Sequence, residues 1–257
     1  MSAARASARP VDGPFEISRR LAERLRRIRL PDPITHVYNP LEYARAPHAA
    51  YVSRYGTGRK EALLIGMNPG PWGMVQTGVP FGDVGIVRDW MGIEAEVGQP
   101  ETPHPKRPVF GFSCPRGEVS GRRLWGWARD TFGEADRFFR RFFVVNYCPL
   151  ALFDRGGANI TPDKIPAGPR AELEAVCDEA LRAVVEALRP RYVVGIGGYA
   201  ESRARAALEG MDVAIGKILP PSPASPAANR GWAMQATAAL EGMGVAIERF
   251  SSQGTKP

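Results

Sequence analysis

The hydrophobic pattern of the chain is a series of short apolar runs that alternate with longer amphipathic segments. The runs are rich in Val, Ile, Leu or Phe and are bounded by turn residues, which is typical of buried strands. The first two runs lead directly into a glycine-rich loop and into an asparagine, respectively. Four strands are therefore predicted, at residues 62–65, 142–145, 191–196 and 213–219.

Helices are predicted where apolar residues recur every three or four positions. Ser120 suits the N-cap of one helix, because its hydroxyl can accept a backbone hydrogen bond. Gly197-Gly198 suits a strand-to-helix turn, since the third glycine of a dinucleotide-binding fingerprint is missing. The stretches 31–60 and 92–115 are expected to be mostly loops. The helices are predicted at residues 15–30, near 41–46, and at 84–91, 120–131, 171–188, 198–208 and 229–240.

The order of these elements predicts the fold class. Strands that alternate with helices form βαβ units, which place helices on both faces of a parallel sheet. We therefore expect an α/β fold in a single domain, with a central, mostly parallel four-stranded sheet flanked by helices. A chain of 257 residues suits one domain. The domain is expected to span residues 13–250, between disordered tails at 1–12 and 251–257.

The loop after the first predicted strand, residues 66–83, reads GMNPGPWGMVQTGVPFGD. Its glycines allow tight turns and close approach of the backbone to a ligand, while its prolines fix φ and remove donors. Loops of this length are uncommon in compact domains unless they are functional or disordered, and this one is too apolar for disorder. The loop is predicted to form a rigid wall of a binding site.

Several groups in this region are suited to chemistry on a flat polar ring. The Asn68 amide can position a water, and the Phe81 ring can stack on the ligand. Backbone N–H groups near Met67 and Gly70 can stabilise negative charge. Asn146 directly follows the second predicted strand, and the carboxyl ends of parallel strands meet at one edge of the sheet. These groups are therefore expected to share one site.

Composition narrows the range of partners. Lys and Arg total 34 against 27 for Asp and Glu, a net charge of +7, which suits an anionic partner such as nucleic acid. The three cysteines, Cys114, Cys148 and Cys177, are far apart and show no C-x-x-C spacing. This argues against a metal site or a disulfide framework and favours a reducing compartment. No apolar run approaches the roughly 18 residues of a membrane span.

The loop 66–83 resembles the first motif of the single-strand-selective monofunctional uracil-DNA glycosylases, the third family of the uracil-DNA glycosylase superfamily. The similarity begins near residue 35 and covers most of the chain. Its other segments are THVYNPLEYA from 35, HPKRP at 104–108, GEVSGRRLWGW at 117–127, NYCPL at 146–150 and PSPASPAANRGW at 221–232. A motif of this length is highly specific.

The resemblance implies a DNA-repair enzyme that hydrolyses the N-glycosidic bond of uracil, and of 5-substituted uracils, in single- and double-stranded DNA. It implies that Asn68 positions water, Phe81 stacks on the base and Asn146 reads it, with Met67 and Gly70 as substrate-binding positions. No metal or cofactor is expected. A monomer is expected, located inside the cell: cytoplasmic in a prokaryote or nuclear in a eukaryote.

One motif departs from the family pattern. Where the family has His-Pro-Ser-Pro-Arg, this chain has Pro220-Pro221-Ser222-Pro223-Ala224, so the histidine that bonds the departing base and the arginine that fills the duplex are both missing. Ser222 suits a turn better than a substitute donor. The segment from Pro220 to Asn229 is still expected to lie against DNA, with Arg230 near a phosphate and Asn229 capping the last helix.

Two alternatives to an active glycosylase follow from the same residues. The first is a uracil- and DNA-binding pseudoenzyme with little cleavage, because Pro220 offers no donor. The second is a nucleotide hydrolase that uses the glycine-rich loop for phosphate. The second is disfavoured, since neither a carboxylate cluster nor a Walker lysine accompanies the loop.

Overall fold

The structure, a computed structural model, describes residues 12–248. The predicted tails lie outside this range except for Asp12, which forms an ion pair with Arg20. Seven strands occur in the described part of the chain. They are β1 (Ile34–Tyr38), β2 (Ala62–Gly66), β3 (Phe142–Asn146), β4 (Ala151–Asp154), β5 (Asn159–Ile160), β6 (Tyr192–Ile196) and β7 (Ala214–Ile218).

The central sheet is parallel and has the strand order β3-β2-β6-β7. Ala62 pairs with Phe142 on one side and with Tyr192 on the other, so the three strands end almost level. β2 is buried along its whole length, as expected for a strand covered by helices on both faces. The predicted α/β class and the four-stranded sheet are confirmed.

A second sheet was not predicted. It is antiparallel, has the order β1-β4-β5 and joins residues more than 100 positions apart, such as Val37 and Leu152. β1 lies in the stretch 31–60 that was expected to form loops. Its sequence, ITHVY, is short and mixes apolar with polar residues, and three of the five residues are not fully buried. The strand is recognisable only once β4 pairs with it.

Helices cover the faces of the central sheet. Within residues 12–248 they are α1 (Pro14–Leu25), α2 (Pro40–Tyr43), α3 (Arg45–Tyr55), α4 (Met74–Thr77), α5 (Val84–Asp89), α6 (Val119–Phe132), α7 (Ala135–Arg141), α8 (Ala167–Leu188), α9 (Gly198–Ala207) and α10 (Trp232–Gly242). Short 3₁₀ turns occupy Gly111–Ser113, Pro162–Lys164 and Ala228–Arg230.

Several predicted helix limits were wrong. The first helix ends at Leu25 rather than residue 30, ahead of a turn and two prolines. The short helix near 41–46 is α2, but α3 follows it and was missed, because Tyr and His rather than aliphatic residues form much of its buried face.

Two predicted caps were also wrong. Glu118 rather than Ser120 caps α6, and its carboxylate accepts the N–H of Ser120. Asn229 does not cap α10, since Gly231, with a φ of 96°, separates its 3₁₀ turn from that helix.

Candidate active site

A pocket opens at the carboxyl edge of the central sheet, where β2, β3 and β6 end. Its volume is about 580 Å³, which lies in the range of small-molecule sites. Loops that follow these strands, the start of α6 and the segment after β7 form its walls. Among the lining residues are Met67, Asn68, Gly70, Trp72, Met74, Phe81, Glu118, Asn146, Asn159, Thr161, Gly197, Pro220, Pro221, Ser222 and Pro223.

The loops after β2 and β3 are joined by backbone hydrogen bonds beyond the ends of the strands. The N–H of Tyr147 donates to Gly66 O at 2.8 Å, and that of Cys148 donates to Met67 O at 3.0 Å. These bonds continue the parallel ladder by two residues. They therefore hold the backbones of Asn68 and Asn146 beside each other at the floor of the pocket.

Phe81 is held in an unusual backbone conformation, with a φ of +57°. Non-glycine residues rarely adopt this region and do so mostly where the surroundings impose it. A Cβ on Gly66 would lie 2.7 Å from the Phe81 ring, and a Cβ on Gly121 would collide with the Phe81 carbonyl. Phe81 is thus packed between β2 and α6, with its ring against Gly66 and its carbonyl against Gly121, at positions where only glycine leaves room.

The Asn146 amide has one satisfied and one unsatisfied end. Its Nδ2 lies 3.3 Å from Met74 Sδ, to which it donates. Its Oδ1 is buried and has no hydrogen-bond partner among the described residues. A buried acceptor left without a partner costs about 1–3 kcal/mol, so this atom is suited to a ligand that brings a donor.

The Asn68 side chain is held only loosely. Its Nδ2 lies 3.4 Å from Pro69 O and 3.5 Å from Leu150 O, both at the long limit of a hydrogen bond. The residue is half-buried at the pocket surface. Its amide is thus available to a water or a ligand.

The segment after β7 forms the opposite wall. Pro220 faces Gly197, whose Cβ position would lie 3.8 Å from the proline ring. Ser222 Oγ accepts the N–H of Ala224 at 3.2 Å, a local turn. Ala224 and Arg230 are exposed and do not line the pocket, and Asn229 lies outside it as well.

Comparisons with known proteins show the family of the chain. A family model described as the uracil DNA glycosylase superfamily matches residues 53–240. The chain is 50% identical over 223 residues to the single-strand selective monofunctional uracil-DNA glycosylase of Rattus norvegicus, covering 86% of this chain and 80% of that protein. The chain belongs to this family. The similarly named Bos taurus protein is 51% identical over 215 residues, covering 83% of this chain and 79% of that protein.

The fold is similar to the crystal structure of wild-type Pedobacter heparinus SMUG2. The TM-score is 0.62 at 17% identity, and the match covers 90% of this chain and 99% of that one. This similarity concerns the fold alone. The family match and the named relatives confirm the resemblance seen in the sequence and the enzyme class that the resemblance implied, a monofunctional uracil-DNA glycosylase.

One acidic group in the pocket was missed from the sequence. Glu118 caps α6, and a Cβ on Gly70 would lie 3.0 Å from its Oε2. Burial raises the pKa of this carboxyl above its usual value. The residue stands in the GEVSGRRLWGW segment of the family resemblance, but only the folded chain brings it against the glycine-rich loop. Asn159 and Thr161, which follow β4, were missed for the same reason.

Charged groups are otherwise scarce in the pocket. No Lys, Arg or His among the described residues lines it. The described part of the chain also contains no group of three or more His, Cys, Asp or Glu residues that could hold a metal ion, and none of its helices is long and apolar enough to cross a membrane.

Proposed function

We propose that this chain removes uracil from DNA by hydrolysing its N-glycosidic bond, and that it accepts 5-substituted uracils and both single and double strands. The observation that carries the proposal is the convergence of Asn68, Phe81 and Asn146 in one pocket, with the buried Asn146 Oδ1 unpartnered. The names of the relatives support the same activity.

Base recognition follows from the Asn146 amide. Uracil presents an N3–H donor beside the O4 acceptor. Asn146 Oδ1 would accept from N3, and Nδ2, which has a second hydrogen besides the one directed at Met74 Sδ, would donate to O4. Cytosine reverses this pattern and would leave a buried acceptor facing a lone pair. Phe81 would stack on the base, which must leave a duplex to reach it.

Cleavage requires little base strength from the protein. As the C1′–N1 bond breaks, its electron pair leaves with the uracil, and the sugar acquires oxocarbenium character. A water held by Asn68 adds to C1′ and loses its proton to solvent. Backbone N–H groups near Met67 and Gly70 would stabilise negative charge on a uracil carbonyl.

The missing histidine lowers the expected rate. Pro220 has no donor for O2 of the leaving base, and loss of one such donor costs on the order of 10²- to 10³-fold in rate. The absence of any cationic side chain in the lining, among the described residues, also favours the second candidate. That candidate is a pseudoenzyme that binds uracil-containing DNA and barely cleaves it.

Single-turnover cleavage of a uracil-containing single strand tests the proposal, with an alkali-labile abasic site as the product. The parent is expected to cleave, Asn68→Ala to lose most activity, and Pro220→His to be faster by on the order of 10²-fold. Pro223→His is the matched control, since it places the same side chain three positions further on and is expected to gain nothing.

The outcomes separate the candidates. If neither the parent nor Pro220→His leaves an abasic site while both still shift the oligonucleotide in a gel, the pseudoenzyme replaces the enzyme. An equal gain from Pro223→His would remove the special role given to position 220.

A further inference from the structure

A patch of two arginines and a tryptophan borders the candidate pocket. Trp72, which lines the pocket, has the guanidinium carbon of Arg116 4.6 Å from its ring centroid and that of Arg107 at 5.8 Å. Both arginines come from the long segment between α5 and α6, which crosses over the glycine-rich loop. We refer to Trp72, Arg107 and Arg116 as the arginine–tryptophan patch.

The patch is held in place by buried hydrogen bonds. Gln76, which is fully buried, donates from Nε2 to Pro71 O at 2.9 Å and to Pro108 O at 3.0 Å. Its Oε1 accepts the N–H of Phe110 at 2.8 Å. One amide thus joins the backbone beside Trp72 to the backbone beside Arg107. The backbone positions of Trp72 and Arg107 are therefore set before any ligand arrives, which lowers the entropy cost of binding.

The charges of the patch are not neutralised by the protein. Within residues 12–248, neither Arg107 nor Arg116 forms an ion pair with a carboxylate, whereas Arg203, which is mostly buried, pairs with both Glu174 and Asp178. Arg107 donates to backbone oxygens only, at Gly157 and Lys106. Arg116 is exposed, and so is the Phe110 ring nearby in the sequence. Guanidinium groups stacked on an aromatic ring combine phosphate binding with a surface for bases.

We propose that the arginine–tryptophan patch binds the single-stranded DNA that adjoins the excised nucleotide. The inference rests on the proposed function, because a strand whose base occupies the pocket must continue past the rim where the patch lies. Arg107 and Arg116 contact its phosphates, and Trp72 with its stacked guanidinium groups supports a neighbouring base. The patch thereby supplies part of the affinity for DNA that the missing arginine of the 220–224 motif does not.

Equilibrium binding of a labelled, uracil-free single strand of about 20 nucleotides tests this proposal without requiring cleavage. The test variants are Arg107→Gln combined with Arg116→Gln, and Trp72→Ala. The matched control is Arg59→Gln combined with Arg191→Gln. Both arginines are exposed at the amino end of the central sheet, and Arg191 also stacks on the Tyr192 ring.

The double patch variant is expected to raise the dissociation constant about tenfold. It is also expected to reduce the magnitude of the negative slope of log association constant against log salt concentration by about 1.4, the value for two single-strand phosphates. Trp72→Ala is expected to weaken binding without changing that slope. The control pair is expected to keep the parent's slope. A patch variant that binds like the control overturns the proposal, whether or not the parent cleaves uracil.

The binding experiment and the single-turnover cleavage assay together separate this inference from the proposed function. If the parent releases no uracil but the patch variant loses strand affinity, the patch stands and the glycosylase proposal fails. If the parent releases uracil and the patch variant binds the strand as the parent does, the glycosylase proposal stands and the patch proposal fails. Binding of inorganic phosphate is measured for the same proteins. If the patch variant binds the strand as the parent does and loses only affinity for inorganic phosphate, the patch is a simple anion site and the proposal is wrong.

Discussion

At the scale of single residues, the site depends on a glycine, Gly66, at a position where any side chain would collide with its neighbours. Gly66 ends β2 directly beneath Phe81 and Asn146, and its missing Cβ leaves the space that both side chains occupy. The backbone of Gly66 is also held by β3, where Gly66 pairs with Asn146 and its carbonyl accepts the N–H of Tyr147 at 2.8 Å. The residue therefore cannot move away from an added methyl group, and the neighbouring side chains must move instead.

Gly66→Ala is accordingly expected to abolish most uracil release while the protein remains folded. The added Cβ displaces the Phe81 ring and the Asn146 amide by about a few tenths of an ångström or more. Base stacking and base reading do not tolerate a displacement of this size. Single-turnover cleavage measures the loss, and thermal unfolding checks the fold. Gly126→Ala, in α6, is the control, because nothing lies within 4 Å of its Cβ position. A Gly66→Ala protein as active as Gly126→Ala would contradict the packing argument.

His48 makes stability depend on pH. The residue is buried in α3, its Nδ1 lies 2.9 Å from Gly78 O, and its Nε2 has no hydrogen-bond partner among the described residues. Burial lowers the pKa of this imidazole to about 4. In the unfolded chain it takes up a proton near pH 6.5, so stability present above that pH is lost as the pH falls towards 4. The full loss is about 3 kcal/mol.

Urea unfolding at pH 7 and pH 4.5 measures this loss. His48→Asn is the informative variant, since its amide nitrogen can still donate to Gly78 O but takes up no proton. The variant is expected to start from a lower stability, because it leaves a small cavity, and to lose less of it on acidification. An equal loss in parent and variant would assign the acid sensitivity to other groups.

At the scale of elements, α6 positions the segment between β7 and α10. Arg123 donates from Nη1 to Pro221 O and to Ser222 O, both at 3.3 Å, and from Nη2 to Asn229 Oδ1 at 2.8 Å. Asn229 in turn donates to Pro223 O at 3.0 Å. One guanidinium therefore joins both ends of the segment that forms the outer wall of the pocket.

Arg123→Ala is expected to lower cleavage of uracil in a duplex about tenfold, and in a single strand by less. Opening a duplex requires that the outer wall of the pocket be held in one position. The charge-assisted hydrogen bonds that hold this wall contribute about 1.5–3 kcal/mol. Arg123→Lys should restore part of the duplex rate. Arg129→Ala serves as the control, because Arg129 is on the same helix and forms its ion pair with its neighbour Asp130. Equal losses on both substrates would make Arg123 a general structural residue rather than a positioning one.

The elements also show where sequence patterns fail. Strands β2, β3 and β6 were predicted because a buried apolar run is visible locally. The edge strand β7 is mostly not buried and was predicted because it continues the alternation of strands and helices. Helix α3 was missed because Tyr51, Tyr55 and His48 fill its buried face and present polar atoms in the sequence. The two tyrosine hydroxyls and His48 Nδ1 are satisfied by distant carbonyls, such as Val144 O for the Tyr51 hydroxyl. A polar residue can therefore belong to the core when the fold supplies its partner.

At the scale of the whole molecule, one hydrophobic core extends from Ile17 in α1 to Val245 after α10. It includes all four strands of the central sheet and an aromatic cluster around Phe138 and Phe139. The antiparallel sheet contributes a small cluster of its own, around Tyr38 and Phe153. Such continuity favours a single cooperative unit over separate domains.

Urea unfolding followed by tryptophan fluorescence and by far-ultraviolet circular dichroism is therefore expected to give coincident curves, in agreement with a single domain across residues 13–250. Two separated transitions would show that the antiparallel sheet unfolds independently. Tyr38→Phe, which removes the hydroxyl that donates to Arg107 O and accepts from His104, would then shift only one of them.

The sequence alone determined the class of the fold, the family and the residues of the glycine-rich loop, because apolar periodicity and a long motif are local properties. Tertiary structure decided the rest. The pairing of β1 with β4, the packing of Gly66 under Phe81, the position of Glu118 in the pocket and the stacking of Arg107 and Arg116 on Trp72 all join distant parts of the chain. Such contacts depend on the packing of the whole chain around its core, so no local pattern records them.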